Sequence, residues 1–226
     1  GYRHGCKAVA TVVADRDIIV RLNEDADFAI PFCDGYWSRM LNPRYDYEEE
    51  IEAFLRCAAD LRYSFVDCGA NFGYWSVLAS SRPFGRQPTL AIEASPENAK
   101  RLGANALLNG DRFRWLNAAV GGQAAGFVRI TGARHEALET LRLTENEPDA
   151  VTVVSLDSLV AGGLVDASLP VVVKLDVEGV EIEALTGAER LMHRDCVVIC
   201  EEHGSDTTHG ITRHLLEEMS LRVFVF

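Results

Sequence analysis

The sequence predicts a doubly wound α/β fold with a mostly parallel sheet, preceded by a short N-terminal extension of strands and aromatic residues. Three observations carry this. Short apolar runs alternate with helix-length amphipathic segments from about residue 45 onward. The first of these runs ends in a glycine turn, Asp67-Cys68-Gly69-Ala70-Asn71-Phe72-Gly73. A chain of 226 residues that is 48% apolar can bury one full core but not two comfortable ones.

Upstream of Tyr45, residues 8–13, 18–22 and 28–31 read as short strands. Asp34-Gly35-Tyr36-Trp37-Ser38 follows, and its turn residues and exposed-looking aromatics predict a loop or lid. The chain therefore divides into an extension or substrate-side cover over 1–44 and an α/β domain over 45–226. In the latter, Ile51, Phe54, Leu55 and Ala58 recur at helical spacing before the strand that ends at the glycine turn. Further strands are expected at 89–92, 113–117, 127–130, 151–155, 171–175, 197–200 and 221–226, and helices at 75–80, 96–108, 180–191 and 211–219. Pro96 opens a helix and Gly110 lies just past its end. The charged segment 132–149 reads as a solvated loop bordering the site. A last antiparallel strand would complete such a sheet after 221–226, and the chain stops before it.

With 34 acidic against 22 basic residues, the formal charge of −12 argues against nucleic acid or an anionic membrane as the main partner. No apolar run approaches the ~20 residues of a membrane span. The chain starts at Gly1 with Arg3, His4 and Lys7 but no following apolar stretch, so neither a signal peptide nor a lipidation signal is read. Six cysteines without a CxxC pair read as buried thiols in a reducing cytoplasm. Association of identical copies is compatible with these features.

In parallel α/β sheets ligands bind beyond the carboxyl ends of the strands, so the residues just after each strand carry the functional reading. The glycine turn is a nucleotide-type cradle. It is not the dinucleotide fingerprint, which counted from Gly69 would need glycines at Asn71 and Tyr74. An acid two positions before the first glycine also sits badly beside a pyrophosphate. Asp67 suits a cationic ligand such as the ammonium or sulfonium of S-adenosylmethionine, and Glu93, at the end of the next strand, is placed to accept two ribose hydroxyls. The alternative is that Asp67 caps the turn and Glu93 caps the helix beginning near Ser95.

Three elements together resemble the FkbM family of S-adenosylmethionine-dependent methyltransferases. They are Val66-Asp-Cys-Gly-Ala-Asn-Phe-Gly-Tyr-Trp-Ser76, Ile92-Glu-Ala-Ser-Pro-Glu97 and Lys174-Leu-Asp-Val-Glu-Gly-Val-Glu181, with Asn117-Ala-Ala-Val and Ser155-Leu-Asp157 fitting between them. The resemblance spans roughly residues 45–202. It implies a Rossmann-like class I methyltransferase fold and transfer to a hydroxyl of a small molecule, such as a sugar or natural-product intermediate. By position it implies that Asp67, Gly69, Ala70, Asn71 and Gly73 surround the methionine part of the cofactor. Glu93 would hold the ribose, Ala94 and Ser95 flank the adenosine, and Asn117, Ala118 and Ala119 border the adenine. Asn117 either hydrogen-bonds the purine edge or makes a structural turn.

Lys174-Leu175-Asp176-Val177-Glu178-Gly179 follows an apolar strand, where polar residues are not ordinary surface choices. Asp176 or Glu178 is a candidate to orient or deprotonate an acceptor hydroxyl, and His203, after the strand at 197–200, is a candidate general base. Lys174 alternates with Asp176 and reads as its ion-pair partner, whereas Glu181 and Glu183 read as first-turn acids that complement a helix dipole. Magnesium on Asp176, Glu201 and Glu202 is conceivable chemistry that three acids alone do not establish, and no metal is assigned. Tyr36, Trp37, Tyr45 and Tyr47, with Arg39 and Arg44, either contact the acceptor or simply pack. Two rival classes remain: an NAD(P)-dependent oxidoreductase and a non-catalytic nucleoside-cofactor-binding module.

Overall fold

The computed structural model describes residues 5–6, 9, 16–42, 45–131, 139–143, 147, 149–166, 168–177, 179–201 and 208–224. Strands β1 (Asp17–Asn23) and β2 (Ala26–Pro31) form an antiparallel hairpin, followed by a 3-10 turn at Trp37–Leu41. Helix α1 (Glu49–Cys57), β3 (Ser64–Cys68), α2 (Tyr74–Ala79), β4 (Thr89–Glu93), α3 (Pro96–Leu108) and β5 (Arg114–Asn117) come next. Strands β6 (Ala119–Val120), β7 (Phe127–Thr131), β8 (Glu139–Leu143) and β9 (Val151–Val154) lead to α4 (Leu156–Ala161). The rest comprises β10 (Val171–Leu175), α5 (Glu181–Thr186), α6 (Glu189–Met192), β11 (Cys196–Cys200) and α7 (Gly210–Arg213).

The central sheet has the order β11-β10-β3-β4-β5 and is parallel throughout. Successive strands step outward from β3 to β5 on one side and resume with β10 on the other, so the strand order reverses beside β3. Alternation along each strand divides the interior into two layers. Phe65, Ala91 and Val172 face a core made with α1, α2, α3 and the hairpin. Val66, Ile92 and Val173 face a second core made with α4, α5 and α6. Both faces of the sheet are thus covered, which is why its strands are apolar runs rather than half-polar alternations. This is the doubly wound, Rossmann-like fold that the alternating elements predict.

Two asparagines one helical turn apart bind the hairpin to this core. The Asn105 side chain accepts from the Ala29 amide at 2.7 Å and donates to the carbonyls of Ala29 (3.1 Å) and Phe72 (2.9 Å). The Asn109 side chain makes the equivalent pair with the Asp27 backbone at 3.0 and 2.7 Å. The helix thereby completes the hydrogen bonding of an otherwise open strand edge. Replacing the fully buried Asn105 with alanine strands three backbone groups, and urea denaturation should show a loss of about 2–3 kcal/mol.

Several expectations need correction. The strands at 127–130 and 151–155 leave the central sheet and join β6 and β8 in a four-stranded mixed sheet of order β6-β9-β7-β8. The segment 132–149 is not wholly loop, because β8 lies within it. The expected 180–191 helix is two short helices separated at Gly187, where a Cβ would lie 2.3 Å from the Gly121 carbonyl oxygen. Helix α4 is not among the expected helices, although Ser155 and Ser158 form a reciprocal capping box at its start. The helix expected at 211–219 is α7 continued by a π-helical turn over His214–Glu218. Residues 221–224 are not a strand: the Leu221 amide donates to the Leu215 carbonyl at 2.9 Å and closes that turn. Of the 8–13 strand only Val9 is described, and it is helical. Trp37 is buried rather than exposed, and Cys57 is an exposed thiol rather than a buried one. No helix among the described residues is long and apolar enough to cross a membrane.

Candidate functional site

A cavity of about 730 Å3 opens at the carboxyl ends of β3, β4 and β10, beside the reversal of strand order. Its described lining carries four acids, Asp67, Glu93, Asp176 and Glu183, against one base, Lys174.

Asp67 is the penultimate residue of β3 and is almost fully buried, at 1% exposure. Its Oδ2 accepts from Ser76 Oγ at 2.7 Å, while Oδ1 has no hydrogen-bond partner among the described residues. Burial pushes its carboxyl above the usual range, and the Lys174 charge and the Ser76 hydroxyl oppose that push. A buried carboxylate oxygen without a partner is costly unless a ligand completes it, and the chemistry it asks for is a cationic donor.

Glu93 ends the neighbouring strand and serves two purposes. Its Oε2 accepts from the Asn71 amide and its Oε1 from the Ser95 amide, both at 2.7 Å, so it does cap the glycine loop and the start of α3. The Asn98 side chain adds a third bond, and since an ionised carboxylate offers about four acceptor sites, room is left for a ligand hydroxyl in the cavity it borders. Burial raises its carboxyl, with the Ser95 and Asn71 amides and the Asn98 side chain working in the other direction.

The glycine loop is held by its own backbone. The amides of Gly69 and Ala70 both donate to the Ile92 carbonyl at 2.9 Å, and that of Gly73 to Ala70 at 2.7 Å. Together with the Asn71 bond to Glu93, this means the loop is not the row of unpaired N–H groups that its glycines suggest. Its ligand chemistry rests on carboxylates instead. Gly69 has φ +76°, and a Cβ there would lie 1.7 Å from the Asp176 carbonyl oxygen, so only glycine permits β3 and β10 to end this close together.

Asp176 is the first residue past β10. Its Oδ2 accepts from Lys174 Nζ at 3.1 Å, the ion pair that their alternation predicts. Glu181 is buried and accepts from the Gly179 amide at 3.1 Å, whereas the exposed Glu183 reaches the cavity.

Part of the lining is aromatic and includes Tyr36, Trp37, Tyr47, Tyr74 and Trp75. Trp37 Nε1 donates to Asn71 Oδ1 at 3.1 Å, which joins the N-terminal segment directly to the glycine loop. The Tyr36 and Tyr47 hydroxyls are 3.0 Å apart, and Trp75 Nε1 donates to Glu48 Oε2 at 2.6 Å. Burial raises both phenols, so neither hydroxyl ionises near neutral pH.

Of the residues singled out in the sequence, Asp67, Gly69, Ala70, Asn71, Glu93, Ala94, Ala118, Ala119 and Asp176 border this one cavity. Gly73, Ser95 and Asn117 lie outside its lining. Gly73 sits at φ +90° against Leu102, and Ser95 caps α3 by accepting from the Asn98 amide at 3.3 Å. Asn117 donates to the carbonyls of Glu93 (2.9 Å) and Ala94 (3.1 Å), the bonds of a structural turn. Glu178, Glu202, His203 and Arg44 lie outside the described residues. Among the aromatics, Tyr45 is not in the lining, nor is Arg39. Gly121, Gly122, Gln123, Ala125 and Gly126 contribute lining that the sequence does not announce, because they follow β6, a strand of only two residues.

The chain is a doubly wound α/β protein with an acid-lined cavity at its topological switch point, the place where such folds hold their ligands. Within that class the chain belongs to the FkbM methyltransferase family, whose domain model, described as Methyltransferase FkbM domain, matches residues 67–223. Among solved structures it is similar to an FkbM methyltransferase from Methylobacillus flagellatus KT, with 22% identity and a TM-score of 0.48 over 70% of this chain and 38% of that one. It is also similar to a precorrin-6y C5,15-methyltransferase from Geobacter metallireducens GS-15, with 16% identity and a TM-score of 0.48, over 81% and 78% of the two chains. A third is a SAM-dependent methyltransferase from Agrobacterium tumefaciens, with 11% identity and a TM-score of 0.49, over 93% and 60%. This chain therefore spans well under two thirds of the length of the first of these structures. No curated protein matches the sequence.

Proposed function

We propose that this protein transfers a methyl group from S-adenosylmethionine to a hydroxyl of a small, uncharged molecule, a sugar or natural-product intermediate being the class envisaged, in the cytoplasm. The observation that carries the proposal is the pair Asp67 and Glu93, two carboxylates on neighbouring parallel strands that border one cavity. Asp67, with its unpartnered Oδ1, fits the cationic methionine end, and Glu93 fits the ribose hydroxyls. Ala94, Ala118 and Ala119 are small enough to leave space for a flat base beside them.

When bound, the cofactor supplies an electrophilic methyl group on a positively charged sulfur. The chain's own residues do the rest. Asp176, at the same strand edge, is placed to orient an acceptor hydroxyl and take up its proton, with Glu178 and His203 as further proton acceptors suggested by the sequence. The aromatic wall offers ring faces to the acceptor and excludes water from the space between. The excess of acids favours neutral acceptors over anionic ones. Among the described residues no group of three or more His, Cys, Asp or Glu side chains is placed to hold a metal ion, and no step here uses one.

A dinucleotide fits poorly, since its pyrophosphate would meet four carboxylates and a lysine already paired with Asp176. Calorimetric titration with S-adenosylmethionine, S-adenosylhomocysteine and NADH tests the choice. The first two should bind; binding of NADH alone would overturn the proposal. A subsequent screen of hydroxylated acceptors distinguishes an enzyme from a binding module.

A further inference from the structure

Lys174 is the only basic residue in the described lining of the cavity, and it is 4% exposed. It lies on β10 directly opposite Asp67 on β3 in the parallel register, so the two side chains emerge on the same face of the sheet. Two residues on, Asp176 accepts from its Nζ at 3.1 Å. Glu48, anchored by Trp75 at 2.6 Å, supplies a third carboxylate to the same neighbourhood. A lysine pointed at a pocket for a cation is at first sight misplaced, because its charge repels the ligand. The geometry gives it a different task.

We propose that Lys174 is a positioning residue whose buried ammonium, set among Asp67, Asp176 and Glu48, keeps Asp67 in the charged form that a cationic cofactor requires and fixes the direction of Asp176. The inference rests on the cofactor reading above and adds to it a pH-setting element within the site. Its physical basis is that the buried Asp67 carboxyl, with the partly exposed carboxylates of Asp176 and Glu48 near enough to raise it further, needs a compensating cation to remain ionised. Burial by itself would strip Lys174 of its proton; Asp176 first, then Asp67 and Glu48, more than reverse this and hold it above the ordinary lysine range. The effect is mutual. Burial raises Asp67, as do Asp176 and Glu48, while Lys174 is the largest influence in the opposite direction, followed by the Ser76 hydroxyl. Glu93 in turn senses the Asp67 charge. The other ionisable neighbours, Cys68 and Tyr36, are both raised by burial and add no charge near neutrality.

The sign of the pH effect follows. Removing the lysine charge raises Asp67 further, so that its carboxyl keeps a proton to higher pH and offers less attraction to a cation. Lys174→Met should therefore bind S-adenosylmethionine most weakly, relative to wild type, in mild acid, and the deficit should shrink as pH rises. Each unit by which Asp67 is raised corresponds to about tenfold in affinity once the pH lies below the wild-type midpoint. Taking the ratio to wild type at each pH cancels titration of the ligand's own amino group.

Methylthioadenosine, which has neither the sulfonium nor the amino acid, serves as the uncharged probe and should bind wild type and K174M within about twofold, since an uncharged ligand lacks the differential Coulomb interaction. A K174M protein that binds S-adenosylmethionine with the wild-type pH profile overturns the proposal while leaving the cofactor assignment intact. Wild type that binds neither ligand overturns the cofactor assignment and the proposal with it. If K174M loses methylthioadenosine as well, nitrogen NMR of the lysine ammonium in wild type decides: Lys174 should keep its proton beyond the ordinary lysine value of about 10.4, and deprotonation below that value overturns the proposal.

Discussion

Asp67→Asn weakens S-adenosylmethionine binding by about 10- to 100-fold, the range expected when one charge-assisted hydrogen bond to a buried anion is lost. The substitution keeps the size of the side chain, so the loop and the α2 start remain in place. It removes the charge while leaving an oxygen to accept from Ser76. Titrating the variant with methylthioadenosine should show nearly wild-type affinity, because that ligand presents no cation. S-adenosylhomocysteine then separates the two cationic centres: it retains the ammonium but not the sulfonium. Equal losses for it and for S-adenosylmethionine would locate Asp67 at the ammonium, and a loss confined to S-adenosylmethionine would locate it at the sulfur. Full affinity for S-adenosylmethionine in D67N would remove the basis of the proposed function.

Gly69→Ala destabilises the fold by about 3–5 kcal/mol, combining left-handed strain with a clash that backbone alone can relieve. The added Cβ would lie 1.7 Å from the Asp176 carbonyl oxygen and 2.7 Å from its carbon. Neither side can easily move, since the Gly69 amide is bonded to Ile92 and the Asp176 amide to Cys68 at 3.1 Å. Gly110→Ala is the control. Gly110 is also left-handed, at φ +69°, but a Cβ there meets nothing within 4 Å, so only the strain of about 1 kcal/mol applies. Urea midpoints for the two variants should differ clearly. Equal destabilisation would show that the β3–β10 approach tolerates a side chain at Gly69.

Much of this site was legible because its chemistry sits at strand ends, where local pattern is strongest. The apolar run before Asp67, the two glycines and the acid at Glu93 are short-range signals, and the corresponding strands fall where the alternation puts them. The failures have equally local causes. Gly187 looks like an ordinary helix residue until the Gly121 carbonyl is packed against it, and the charges around β8 hide a strand whose partner, β7, is the stronger signal. Trp37 reads as a loop aromatic because nothing within its own segment shows that Phe28 and Phe72 flank it. Asn117, which the sequence leaves open between the purine edge and a turn, donates to the Glu93 carbonyl, a contact set by strand packing and not by its own segment.

The sequence by itself determined the α/β class, the central parallel strands and the placement of two acids after neighbouring ones, since periodicity and strand-end motifs are properties of contiguous residues. Only the tertiary structure decided that Lys174 stands opposite Asp67, that β7 and β9 belong to a second sheet, and that Asn105 completes the hairpin edge. Those outcomes depend on register and close packing between segments far apart in the chain, whose energies no single segment encodes.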